Sequence, residues 1–229
     1  LNRRPRTPAP PGAGPHGEEF PAVIRPRHDG RPSRMMAAAV LLCAVLFAPR
    51  PAGAESTVAI VRGEDPDKMV AEVVDLVGGL KDLVKPGQHV VIKPNLTYYD
   101  GRRGLVRGMT TDVRVVRKLI EMVRTAADCR VTVAEGAGLP ASVVYRAYGY
   151  DKMAQELRVP LVDLDREKFV PVKLPEGLAH KEYSLPAITQ DCDVLINVPV
   201  IKTHQLCGVT VGLKNLFGLL KVPREGYHE

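Results

Sequence analysis

The 229-residue chain carries 32 Lys and Arg against 26 Asp and Glu, a formal net charge of +6, with no Trp and few other aromatic residues. Eight of the basic residues and three of the acidic ones fall within residues 1–54, so the basic excess belongs to that leader and the remainder is close to charge balance. Balanced charge and scarce stacking rings argue against nucleic acid as a partner.

Residues 1–34 hold 8 of the 20 prolines, a scatter of arginines and no periodic apolar pattern, a composition unable to bury a core. They are expected to be a disordered or non-native leader. Arg34, Met35 and Met36 then precede an apolar stretch from Ala37 to Ala48 and the small-residue sequence Ala52-Gly53-Ala54. Positive start, short apolar centre and small-residue exit are the layout of a secretory signal peptide over 35–54. The stretch falls short of the roughly 20 apolar residues a membrane helix needs, so no stable membrane span is expected. Cleavage near Ala54 would export the remainder to the periplasm or the extracellular space.

Residues 55–229 read as one α/β domain. Thr57 to Val61 is a β-branched run that predicts a first strand. Asp65-Pro66 supplies an N-cap and a proline at the first helical position; Met69, Val70, Val73, Val74, Val77 and Leu80 follow at helical spacing. His89 to Lys93 predicts a strand. Thr110 or Thr111 is expected to cap a helix with Val116, Leu119, Ile120 and Val123 on its core face. Arg130 to Glu135 predicts a strand, Ser142 to Leu157 a helix broken around Gly149, and Pro160 to Asp165 another strand. Phe169 to Leu185 reads as two extended segments around Pro175-Glu176-Gly177, and Asp193 to Val198 as a buried strand. This alternation implies a mostly parallel sheet with helices on both faces. The end at Gly226-Tyr227-His228-Glu229, soon after a helix, reads as a C-terminal truncation.

Ligands in open α/β sheets bind beyond the carboxyl ends of the strands, and polar residues fall there repeatedly. Lys93 precedes Pro94 and Asn95; the proline holds Lys93 extended, and a buried lysine needs a partner, for which Glu135 or a ligand anion are the candidates. Lys202 and His204 follow the last strand, two apart and on one face if the chain stays extended. In the apolar segment 209–220, Val209, Leu213, Leu216, Phe217 and Leu220 predict a helical stripe, with Lys214, Gly218 and Lys221 on another face and Asn215 beside Lys214. His228 closes the set. Cations this close to a core point to a small carboxylate or phosphate ligand, or to proton transfer. Lys202, His204, Lys214 and His228 are the candidate catalytic groups. Lys93, Asn95, Glu135 and Asn215 are the candidate ligand-binding groups.

The sequence Gly136 to Ala141 fits a loose G-x-G-x-x-A turn; Pro140 removes one amide, so a simple anion site at that turn is the expectation rather than a dinucleotide. His204 and Cys207 alone do not make a metal site. The residues assign no cofactor.

Ile92-Lys93-Pro94-Asn95, Glu135-Gly136, the run from Asp193 to His204, the run Gly208 to Leu220 and the closing Tyr227-His228 resemble the family called domain of unknown function 362. The resemblance runs from about Val58 onward; it brings no established activity but implies frequent export, and some members add a ferredoxin-like cluster segment. The order of strand, Lys-x-His, glycine-rich helix with lysine, then histidine is similar to lactate racemase, which implies hydride transfer at a 2-hydroxy acid around a nickel-pincer nucleotide. Together these readings give an exported enzyme acting on a small anionic substrate by proton or hydride transfer. An exported solute-binding protein and a redox partner linked to iron–sulfur chemistry are the alternatives.

Overall fold

The structure is a computed structural model and describes residues 56–96, 108–204 and 208–224. The expected signal segment, Cys207 and His228 lie outside the described residues. Four parallel strands form the main sheet in the order β3-β2-β1-β6: β1 His89–Lys93, β2 Arg130–Glu135, β3 Leu161–Asp163 and β6 Val194–Asn197. The chain builds outward from β1 through β2 to β3, then returns to the far side of β1 with β6. That reversal puts a topological switch point between β1 and β6, where open α/β sheets place their ligands.

Strand alternation divides the core between two faces. Val90 and Ile92 of β1 enter the larger cluster with Val116, Ile120 and Val123, whereas Val91 enters a smaller one with Ala134, Leu164 and Leu219. The larger face lies under α1 Pro66–Leu76, α2 Val113–Ala126, α3 Ala141–Ala147 and α4 Tyr150–Leu157. On the other face Leu185, Ile188 and Leu216 cover the small cluster. These come from the hairpin strand β5 Glu182–Pro186 (paired antiparallel with β4 Phe169–Lys173), from α5 Ile188–Asp191, and from a 3₁₀ turn over Leu216–Leu219. Helical elements on both faces of a parallel sheet give the α/β class expected.

The local signals act as chemistry demands. Asp65 caps α1 by accepting from the amides of Asp67 at 3.0 Å and Lys68 at 3.4 Å, with Pro66 next in line. Gly149 ends α3 and opens α4 with φ at 77°, a left-handed conformation that costs a residue with a Cβ more than glycine. Val116, Leu119, Ile120 and Val123 are all buried on α2.

Four expectations are corrected. Thr57 to Val61 forms no strand: the run joins none of the sheets, and Val58 and Ile60 stand exposed with no apolar face to cover. The cap of α2 is Asp112, which accepts from the Arg114 amide at 2.9 Å; Thr111 is turned inward instead. β3 ends at Asp163 and gives way to a 3₁₀ turn over Leu164–Arg166. The single helix expected over 209–220 divides into three pieces: β8 Gly208–Thr210, pairing antiparallel with β7 Lys202–His204, then α6 Gly212–Asn215, then the 3₁₀ turn. Leu213, expected in the core, is 89% exposed. Val209 is likewise exposed, on the outer face of the β7–β8 ribbon.

Candidate functional site at the carboxyl edge

Every strand of the main sheet ends on a polar residue at the same edge: Lys93, Glu135, Asp163 and Asn197. Lys93 and Glu135 form an ion pair at 2.7 Å with both side chains at 0% exposure. Such burial is tolerated only when the remaining protons and lone pairs are also met, and here they are. Lys93 Nζ also donates to Pro94 O at 3.3 Å and Asn215 Oδ1 at 3.5 Å. Glu135 accepts from the amides of Gly136 at 2.8 Å and Leu96 at 3.1 Å.

Asn215 closes the pair from above. Its Nδ2 donates to Asn197 Oδ1 at 2.7 Å and to Pro94 O at 3.2 Å, and Asn197 Nδ2 donates to Gly212 O at 2.9 Å. One chain of amides therefore ties the tip of β6 to both ends of α6 and the tip of β1. Gly218 completes the lid. A Cβ there would lie 2.9 Å from Lys93 Nζ and 3.0 Å from Glu135 Oε1. The room that Gly218 leaves is thus used by Lys93, and not by Lys214 as the helical spacing suggests.

A second group lies on the switch-point side. Lys202 Nζ donates to Asn95 Oδ1 and to Met109 O, each at 2.7 Å. The Asn95 amide donates to Thr111 Oγ1 at 2.9 Å, and the Thr111 hydroxyl donates to Val198 O at 2.7 Å. Thr111 in turn accepts at its carbonyl from the buried Tyr150 hydroxyl at 3.0 Å. Lys202 is half-buried, and burial lowers its pKa below the ordinary lysine value, against an opposing pull from Glu135. β7 is extended, with Lys202 and His204 half-buried and Thr203 exposed, so Lys202 and His204 share the inner face.

Lys214 does not join them. Its Nζ sits over the Phe217 ring at 3.8 Å from the centroid, and it lines a concavity of about 790 Å³ with Asn197, Val209, Val211, Gly212, Leu213 and Leu216. Val209 lies opposite Thr203 in the ribbon and Thr210 opposite Lys202, so this concavity opens on the face away from Lys202. Of the candidates, Lys93, Glu135 and Asn215 form one cluster and Lys202 with Asn95 a second; Lys214 faces elsewhere. The anion site expected at the turn Gly136 to Ala141 is filled by the chain itself: Gly138 donates to Asp165 Oδ2 at 2.8 Å and Ala141 to Asp163 Oδ2 at 3.1 Å. Asp165 is further held by Arg224.

Three participants were not singled out for this edge by sequence. Asn197 had the same signal as Lys93 and Glu135, a polar residue closing a buried run. Thr111 reads as a cap because hydroxyl residues before helices usually are. Gly218 has no side chain to notice.

The model of the family described as "Domain of unknown function (DUF362)" matches residues 90–229, which include the described residues of both clusters. The chain belongs to this family. One relative of this DUF362 protein is a thylakoid-associated protein of Synechocystis sp., 32% identical over 146 residues, covering 64% of this chain and 43% of the relative. The DUF362 chain therefore spans less than half the length of that relative. No solved structure matches it. Among the described residues, no helix is long and apolar enough to cross a membrane.

Proposed function

We propose that the protein binds a small carboxylate or phosphate compound at the carboxyl edge of its sheet and moves a proton there through Lys202. The observation that carries this reading is the contrast between two lysines near the tip of β1. Lys93 is neutralised by Glu135 and sealed beneath Asn215 and Gly218, so it holds the edge together. Lys202 meets only neutral oxygens among the described residues, and burial lowers its pKa. A lysine so placed can attract an anion while charged and act as a base once it has lost its proton. His204, on the same face of β7, supplies a second group able to carry a proton.

The test is binding and exchange together. Phosphate, lactate and malate are titrated by calorimetry into the wild type, Lys202→Met and Lys202→Arg. Loss of about tenfold or more in affinity is expected in Lys202→Met, with smaller loss in Lys202→Arg, on the scale of one charge-assisted hydrogen bond. Incubation in D₂O with proton NMR then reads exchange at the carbon beside the carboxylate. Exchange lost in both variants supports proton transfer by the lysine. Binding without exchange returns the protein to the solute-binding reading, and absence of binding to every anion removes both.

The leader suggests where this takes place. Export with cleavage near Ala54 is supported by the signal-like layout of residues 35–54, and the thylakoid association of the cyanobacterial relative is compatible with it. N-terminal sequencing of the protein secreted by a bacterial host should start near Glu55; an intact chain retained in the cytosol would remove the proposal.

A further inference from the structure

We infer that the outer face of the β7–β8 ribbon, with the turn into α6, is a docking surface for an anionic lipid bilayer. The inference starts from strand alternation. Successive residues of a strand face opposite ways, and in this ribbon the polar set is the one turned inward. Lys202 and His204 are half-buried and Thr210 is buried. On the outer face Val209 stands opposite Thr203, and two-residue steps bring Ile201 and Val211 to the same side. Ile201, Val209 and Val211 are 73, 55 and 42% exposed, and Leu213 beyond them is 89% exposed. A ribbon whose outer face met only water would show the reverse pattern.

Single exposed aliphatic residues are ordinary, whereas a contiguous set marks an interaction surface. Here they are contiguous: Val209, Val211 and Leu213 line one concavity of about 790 Å³ with Leu216 and Lys214. Lys202 faces the other way, toward Asn95. The docking surface and the edge proposed to bind small anions are therefore opposite faces of one ribbon, and each reading stands without the other.

Charge selects the occupant. Residues 194–224 contain no Asp or Glu, although these make up 26 of the 229 residues. Of the Lys and Arg in this stretch, Lys202 is turned inward and Arg224 is held by Asp165. Lys214 stands at the concavity and Lys221 is exposed. A second copy seated on this face would set Lys214 against another surface without a carboxylate. An anionic bilayer supplies what the face lacks: an apolar depth for the aliphatic side chains and negative headgroups for the lysine. The long stem of Lys214 lets its ammonium stay at headgroup level while Leu213 and the valines go deeper. Docking of this kind lies on the membrane and does not span it.

The chain contains no Trp, so Leu213→Trp places a lone fluorescent reporter in the patch. Leu178→Trp is the control, at a fully exposed position between β4 and β5. Full-length protein with either substitution is titrated with vesicles of phosphatidylglycerol, and separately of phosphatidylcholine, brominated along the acyl chains. Blue-shifted, quenched emission is expected for Leu213→Trp with phosphatidylglycerol, and neither change for Leu178→Trp. Adding Lys214→Gln to the Leu213 reporter should weaken that binding about fivefold, the effect of one cation at an anionic surface. Residues 1–54 are the same in every variant, so adsorption through them would not distinguish the two reporters or respond to Lys214. Equal quenching of both reporters, or none at Leu213→Trp, overturns the inference, as does equal binding to the two lipids. A blue shift of Leu213→Trp that grows with protein concentration in the absence of lipid also overturns it, since a second copy would then be the occupant.

Discussion

Lys93 and Glu135 arrive at the edge on neighbouring strands, and neither could be buried without the other. Removing one partner from a buried pair leaves an uncompensated charge and costs about 3–5 kcal/mol, whereas replacing both with apolar residues is often close to neutral. Glu135→Leu should therefore lower urea stability by about that amount, and Lys93→Met combined with Glu135→Leu should recover most of it. A single substitution costing under about 1 kcal/mol would mean that the pair does not hold the edge. The sequence exposes this pair because Pro94 fixes the direction of Lys93 and Glu135 closes the next buried run. It could not expose the seal, since Asn215 reaches the pair across a separation in sequence of 122 residues.

His89, at the opposite edge, makes a second residue-scale case. Its Nε2 shares a hydrogen bond of 2.9 Å with Thr132 Oγ1, while its buried Nδ1 has no hydrogen-bond partner among the described residues. Burial lowers its pKa from the ordinary 6.5, with Arg130 adding to the effect and Asp193 and Asp191 opposing it. The unfolded chain thus binds this proton more readily than the folded one. Stability from this group is complete above the ordinary imidazole value and is lost as pH falls below it, through the folded pKa. Urea melts at pH 7.5 and 5.5 should show a smaller acid loss in His89→Gln than in the wild type. Equal losses would show that the imidazole is not responsible.

Among the elements, the segment 208–220 shows how one sequence pattern supports two structures. Leu213, Leu216, Phe217 and Leu220 recur at three- and four-residue steps, which reads as a helix face. Gly212 and Gly218 break it, because α6 must turn Asn215 down onto the ion pair and then let the backbone pass close above it. The helix is sacrificed to the site. Gly218→Ala tests this economy: the added methyl would meet Lys93 and Glu135, neither of which can retreat, so a loss of about 1–3 kcal/mol is expected, typical of overpacking. The penalty should shrink in the Lys93→Met, Glu135→Leu background if the clash is with the pair, and stay the same if it is with the backbone. By contrast, β1 and β2 were legible to the residue because their buried runs are local signals, whereas α1 stops at Leu76, short of the expected Val77 and Leu80, and α2 is capped by Asp112 rather than by Thr110 or Thr111.

Taken as a whole, the molecule discloses its architecture more readily than its purpose. Alternating buried runs and amphipathic helices specify a parallel sheet, and a parallel sheet specifies which edge gathers the polar strand ends. Pairing across that edge is another matter. Whether Lys93 meets an acid of its own chain, and whether Lys214 faces Lys202 or turns away from it, is set by ribbon geometry and by which face each residue of β7 and β8 takes. Those facts have no local signature.

The order of strands also sets a timetable. Val90 pairs with Val131 on one side and with Val194 on the other, so one neighbour emerges from the ribosome long before the second. At synthesis rates of about 5–20 residues per second, the wait for β6 after β1 is roughly 5–20 seconds. During that interval β1 presents a bare strand edge, and once Glu135 has been made the Lys93–Glu135 charges stand without the cover of Asn215 and Gly218. Nascent chains stalled between β3 and β6 should therefore engage chaperones more strongly than chains stalled after α6, because the vulnerable period of this protein is the one that ends when its site closes.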